Sequence, residues 1–488
     1  MGPPRADHRK APGLRLLLLA ALGLGAAWVP TAGQAAAPPA WEEVGDMRQP
    51  REGHTATLLS GPDCGGQHRA VYCGQVLVAG GFQWVGSVPI DGRPYDPRDS
   101  LDKRVFQTAE IFDPKSRQWA PTGSLEKARW GHQAVGLPDG RVLVMGGEGG
   151  ANGPTLASAE LYDPRSKKWK LTGSLHVPRW LFTATLLQGQ GCGSSCGKVL
   201  VVGGGSSAPA STSAELFDPK SESWSSAGSL TEPRASHTAT LVSGPRCGSI
   251  CGQVLVAGPL KTTELYDPSK GTWTPVGEMV VASSQGSAAL LSSGDVLVIG
   301  SGAALNPGSP GHTTELNAQL FDPMLGTWTS TRPPGGRRVA SFLTRLGDGG
   351  VLAAGGEKNN TAAAIYYRGG AKGDPNGVWE PAGNLKLARA LQAQTLLGCS
   401  ADSPVLITGG GPSDSTTTPT VELFKHQPRD RGESGSQNSV CLSSKASSAN
   451  DQGQASAVRG TLLAVLLAMA LTATLLAFLR RFTRRTSA

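Results

Sequence analysis

Between residues 41 and 426 the apolar positions fall in short runs that stop on glycine: "GQVLVAGG", "GRVLVMGG", "GKVLVVGGG" and "GGVLAAGG". Runs of this length, β-branched and bounded by turn-forming residues, read as strands. They begin at Val76, Val142, Val199, Val254, Val296, Val351 and Val405, and the sequence around each is built alike. In its clearest form the unit reads "RASHTATL", a turn, "GQVLVAG", a loop, then "TELYDPSKGTW". That is four strands, a to d, in about 50 residues, the length and strand count of a propeller blade. The glycines follow from the packing such a blade demands. They permit backbone angles and close approaches of neighbouring chain that other residues do not.

Strand d opens on tryptophan. "WAPTGSL", "WKLTGSL", "WSSAGSL", "WTPVGEM", "WTSTRPP" and "WEPAGNL" start at Trp119, Trp169, Trp224, Trp273, Trp328 and Trp379, one short of the seven b strands. The missing copy is "WEEVGDM" at Trp41, while the last repeat runs out at "VELFKHQ" without a strand d. The N-terminal strand is therefore expected to complete the last blade, which ties first to last and removes the free edge.

Double glycine after strand b, an aromatic in strand c and Trp opening strand d resemble the kelch family over residues 41–426. The resemblance implies an all-β fold, a seven-bladed kelch β-propeller. Three repeats depart from the pattern: Gly258–Pro259 in repeat 4, Gly300–Ser301 in repeat 5, and "YYR" for "YDP" in repeat 6.

The formal charge of +8 first suggests nucleic acid, but its position removes the suggestion. Residues 1–35 and 459–488 carry the excess, leaving 36 basic and 36 acidic residues in 36–458. A nucleic-acid footprint needs a clustered basic face in the body of the protein. Instead, residues 1–35 run from basic to apolar to small, the order of a signal peptide. An uncleaved anchor is the other reading; small residues directly after the apolar run favour cleavage. Residues 460–479 form an uncharged stretch long enough to cross a bilayer, followed at once by Arg480 and Arg481, which places that end in the cytoplasm. The polar, Ser/Gly-rich 427–459 reads as a stalk and 480–488 as a basic tail. The expected protein is exported, anchored by one C-terminal transmembrane helix, and of a bacterial type.

Strand order sorts the loops onto two faces. The a–b turns carry Cys64/Cys73, Cys192/Cys196 and Cys247/Cys251, whose local pairing in three repeats favours hairpin disulfides over a metal site. Cys399, in the a–b turn of repeat 7, and Cys441, in the stalk, would tie the stalk root to the propeller. The opposite face holds the starts of the a strands, where an arginine stands in six of seven repeats: Arg51, Arg129, Arg179, Arg234, Arg338 and Arg389. His54, His132 and His237 follow three residues later. Two readings stand. One is a cationic ring suited to an anionic ligand; the other, favoured because the residue recurs with the repeat, is hydrogen bonding within the blade. The same face receives the longest b–c loop, Phe82–Gln107, with Trp84 and Tyr95 as candidates for specificity.

Three classes of function compete. A cell-surface binding module for a protein or glycan ligand needs no cofactor and no metal. An oxidase similar to galactose oxidase, whose middle domain is a kelch propeller, needs copper held by two Tyr and two His; here Tyr162 and Tyr266 are strand-c aromatics. A carbohydrate-active hydrolase of the sialidase kind needs a turn motif that "DPSKGTW" does not match. No nucleophile elbow, H-E-x-x-H or phosphate loop is present. The reading adopted from sequence is the binding module, without catalysis.

Overall fold

The computed structural model describes residues 40–426, except 66–69, 85–102, 151–152, 206–210, 303–315, 335–341, 356–362, 369–376 and 412–416. The segments expected to direct export, form the stalk and cross the membrane lie outside the described residues, as do Tyr95, Arg338 and Cys441. Among the described residues no helix is long and apolar enough to cross a membrane.

The fold is an all-β propeller. Six four-stranded antiparallel blades are each made from one continuous stretch of chain in the order a-b-c-d. Their a strands are Thr55–Leu58, Gln133–Gly136, Thr183–Leu186, Thr238–Leu241, Ser283–Leu290 and Phe342–Arg345. A further four-stranded sheet joins Ala393–Leu396, Val405–Thr408 and Val421–Lys425 to Ala40–Val44 from the other end of the chain. Trp41 stands opposite Phe424 in that ladder. Neighbouring a strands lie side by side, and Ala393–Leu396 lies beside Thr55–Leu58, so the circle closes.

The packing explains the sequence pattern. Strand b is covered on both sides by adjacent sheets, so Val142, Leu143, Val144 and Met145 are all buried. The core lies between blades: Leu143, Met145 and Leu161 of repeat 2 pack on Val199, Val201 and Phe217 of repeat 3. Strand d is outermost and mostly exposed; in repeat 2 it buries only its tryptophan, which leans on the strand-c aromatic, Tyr162–Trp169, with centroids 5.0 Å apart. Its indole then reaches the previous sheet. Trp169 Nε1 donates to the Gly123 carbonyl at 2.7 Å, Trp224 to Gly173 at 2.7 Å, and the displaced Trp41 to Ala382 at 2.8 Å.

The paired glycines lie where two repeats cross. Gly80 (φ +64°) would drive a Cβ into the carbonyl of Arg129 and the His132 ring of the next repeat, and Gly81 (φ +88°) would meet Glu52 and His54 of its own. The Gly81 N–H donates to the Arg129 carbonyl at 2.8 Å, and Gly410 does the same to Arg51 across the closure. In repeat 4 the second glycine is Pro259, which has no N–H to give.

Three disulfides staple a–b turns: Cys64–Cys73, Cys192–Cys196 and Cys247–Cys251. Cys399 is also disulfide-bonded.

Candidate functional site

Arg51, Arg129, Arg179, Arg234 and Arg389, which the sequence allows either as a cationic ring or, by preference, as hydrogen-bonding members of the blade, are internal and do not form a ring at the mouth. All five are fully buried. Each pairs with the strand-c glutamate of its own repeat: Arg51–Glu110 at 2.9 Å, Arg129–Glu160 at 2.7 Å, Arg179–Glu215 at 2.7 Å, Arg234–Glu264 at 3.3 Å and Arg389–Glu422 at 2.6 Å. The guanidinium also donates to the first glycine after strand b, Arg129 to the Gly146 carbonyl at 2.9 Å and Arg179 to Gly203 at 2.6 Å. Burial pushes the Arg129 guanidinium down and Glu160 opposes the fall. A buried pair adds little net stability, but removing one partner costs about 3–5 kcal/mol because the other charge is left uncompensated. These groups hold blades and have no free donors aimed at solvent.

The histidines are internal as well. His54, His132 and His237 meet Thr408, Thr55 and Thr183 of the preceding repeats through Nε2, at 2.8, 3.0 and 2.9 Å. Burial pushes His54 and His237 down to about 3 and His132 well below its ordinary value, so all three are neutral at physiological pH. They join blades; they do not face a ligand.

What does reach the mouth is the residue after each arginine. Backbone bridges set Glu52 against Phe82, Trp130 against Glu148 and Trp180 against Gly205, where strand b hands over to its b–c loop. The long loop contributes a two-stranded hairpin, Phe82–Trp84 with Lys103–Val105, in which Trp84 faces Lys103. Phe82, Trp84, Trp130 and Trp180 then form one aromatic cluster. Phe82 meets Trp84 edge-on at 5.4 Å and Trp130 at 5.0 Å, and Trp130 meets Trp180 at 6.0 Å. Lys103 Nζ lies inside it, 4.9 Å from the Phe82 centroid, 4.8 Å from Trp84 and 4.5 Å from Trp130. Each such contact is worth ~0.5–2 kcal/mol, more as water is excluded.

Two carboxylates act on this ammonium. Glu52 is buried, accepts from Trp84 Nε1 at 3.3 Å, and is pushed up to about 7 by burial, which Lys103 partly opposes. Glu148, half-buried, is also raised by burial and held back by Lys103. Burial in turn lowers Lys103. The Trp84 backbone N–H donates to Thr417 Oγ1 at 3.1 Å, fixing the hairpin to repeat 7.

Of the residues proposed from sequence, the structure brings Trp84 to this site and leaves the described arginines and histidines below it. Phe82, Lys103, Glu52, Trp130, Trp180 and Glu148 were not expected. Their signal was departure from the repeat: after the recurring arginine come Glu52, Trp130, Trp180, Ala235 and Ala390.

A copper centre of the galactose oxidase kind does not fit the described residues. The Tyr162 hydroxyl is hydrogen-bonded at 2.7 Å to Thr122 of the preceding repeat, and Tyr266 is buried against Trp273. His54, His132 and His237 are spent on threonines, and His176 and His426 are paired with Glu215 and Asp348. No group of three His, Cys, Asp or Glu side chains placed to hold a metal occurs among the described residues.

Comparison with known proteins agrees with this architecture. The Kelch motif model matches residues 129–175 and 188–231. A stretch of 37 residues is 51% identical to tRNA wybutosine-synthesizing protein 4 of Saccharomyces cerevisiae, covering 8% of this chain and 5% of the yeast protein. Among solved structures, a fungal alcohol oxidase of the AA5 family, in complex with copper, superposes with a TM-score of 0.55 at 15% identity. That match covers 79% of this chain and 76% of the other, and it is a likeness of fold. Recurring strand pattern, paired glycines, outer tryptophans and matched motif together identify the fold as a kelch-repeat propeller.

Proposed function

We propose that the chain is a non-catalytic binding propeller at the cell surface, held by one C-terminal span, with the b–c mouth turned to a protein or glycan ligand. One observation carries the reading: the mouth is where the repeats stop repeating. Trp130 and Trp180 occupy positions filled by Ala235 and Ala390 elsewhere in the ring, so blade assembly does not require large aromatics there. Partly exposed indole faces beside a buried carboxyl suit a ligand with both apolar and polar surface, such as a sugar ring or a peptide. The basic–apolar–small order of residues 1–35 and the apolar stretch 460–479 support export and anchoring, and disulfides fit an oxidising compartment.

Within this reading the split sheet is the seventh blade of a seven-bladed ring. Deleting residues 36–47 removes the partner of Val421–Lys425 and lowers the melting temperature; an unchanged melt would rule out the closure. For the ligand, the purified full-length chain is screened on glycan and peptide arrays beside its Trp130→Ala/Trp180→Ala variant. Loss of a hit in the variant, with the melting curve kept, locates the site at the mouth. Equal binding by both proteins would place it elsewhere.

A further inference from the structure

We propose that the box formed by Phe82, Trp84 and Trp130 is a receptor for the ammonium group of an incoming ligand, and that Lys103 fills it in the free protein as an internal occupant. The inference rests on the reading of the mouth as a binding site and names the chemistry it selects. Three features carry it. The rings converge on a single nitrogen from two repeats, Phe82 and Trp84 from the hairpin of repeat 1 and Trp130 from the segment just before the a strand of repeat 2, at 4.5–4.9 Å. An amphipathic lysine lying along one ring would be ordinary; enclosure by three is the geometry that selects alkylated ammonium groups. Next, carboxyl-bearing residues adjoin the rings, Glu52 accepting from the Trp84 indole at 3.3 Å and Glu148 bridged through its backbone to Trp130, and both favour a cation at Lys103. Emptied of Lys103, the box keeps its carboxyls and lacks a cation. Finally, Lys103 belongs to the short hairpin and not to a blade strand, so the propeller can form with that side chain withdrawn.

The test uses the full-length chain titrated with tetramethylammonium chloride against matched sodium chloride, read by tryptophan fluorescence. The expected result is saturable binding that tightens about tenfold or more in Lys103→Ala, where the internal competitor is gone, and disappears when Trp130→Ala is added. Affinity unchanged or weakened by Lys103→Ala would overturn the proposal, as would binding that survives Trp130→Ala. Should Trp130→Ala lower the melting temperature, Trp130→Phe keeps a ring, and binding intermediate between the two is then required. Choline and a trimethyl-lysine peptide, titrated in parallel, separate a lipid-type headgroup from a modified protein as the source of the ammonium. A neutral glycan captured on the arrays without any ammonium binding would leave the mouth as a binding site and remove this inference alone.

Discussion

Repeats 2 and 5 do the same structural job with different chemistry. In repeat 2 the start of strand a is held by Arg129 on Glu160, with both side chains fully buried. In repeat 5 the same register places Ser283 and Gln319 there, since Gln319 stands opposite Val298 as Glu160 stands opposite Val144. Gln319 Nε2 donates to the Val281 carbonyl at 2.7 Å and to Ser283 Oγ at 3.3 Å, and its Oε1 accepts from the Val281 N–H at 3.2 Å. The backbone donor is common to both versions: Glu160 Oε1 accepts from the Lys127 N–H at 3.2 Å. The charge is thus dispensable provided both partners change together. An arginine that recurs in a repeat protein is then explained by packing before function is invoked.

The largest effect should come from breaking the charged version halfway. Glu160→Ala leaves Arg129 buried with no counter-charge, and the loss expected in denaturant unfolding is about 3–5 kcal/mol. Copying repeat 5 into repeat 2, with Arg129→Ser and Glu160→Gln together, should recover more than half of that loss. If the double variant is as unstable as the single one, repeat 5 relies on something its neutral pair does not supply.

A smaller effect separates the buried pairs from the mouth. Glu52 is raised from 4.5 to about 7 by burial, against Lys103, Trp84 and Thr417, which favour its charged form. As pH climbs from 4.5 to 7 the unfolded chain releases this proton while the fold retains it, so stability falls across that window and levels off above it. Glu52→Gln should therefore be neutral near pH 4 and stabilising by ~1–3 kcal/mol at pH 8. Melting curves at the two pH values check it; a gain at the acidic end would reverse the sign. Replacing Cys192 and Cys196 by serine should cost the least, about 2 kcal/mol or below, because the closed loop is so short.

The parts of the fold that repeat were legible in the sequence because packing imposes them at every blade. Each b strand and the displaced Trp41 had six copies to be measured against, and each glycine pair had four. The partner of the arginines was legible too in five repeats, though not set beside them: the glutamate of "AEIFD", "AELYD", "AELFD", "TELYD" and "VELFK" comes with the arginine. Ser283 comes with Gln319, while repeat 6 has Arg338 with Ile365 at the glutamate's position. Trp84 could be found from loop length alone. Lys103 and Trp130 could not be joined in advance, because only the hairpin register and the crossing of two repeats bring them within 4.5 Å.

The sheet assembled from both chain ends also sets how the molecule bears load. Val421–Lys425, the last strand before the chain continues past residue 426, is not at an edge; Ala40–Val44 lies on one side and Val405–Thr408 on the other. Tension applied to the downstream chain must slide this strand against both neighbours at once, shearing two ladders together instead of unzipping one. Mechanical resistance is thereby concentrated at the strand from which the chain leaves the propeller.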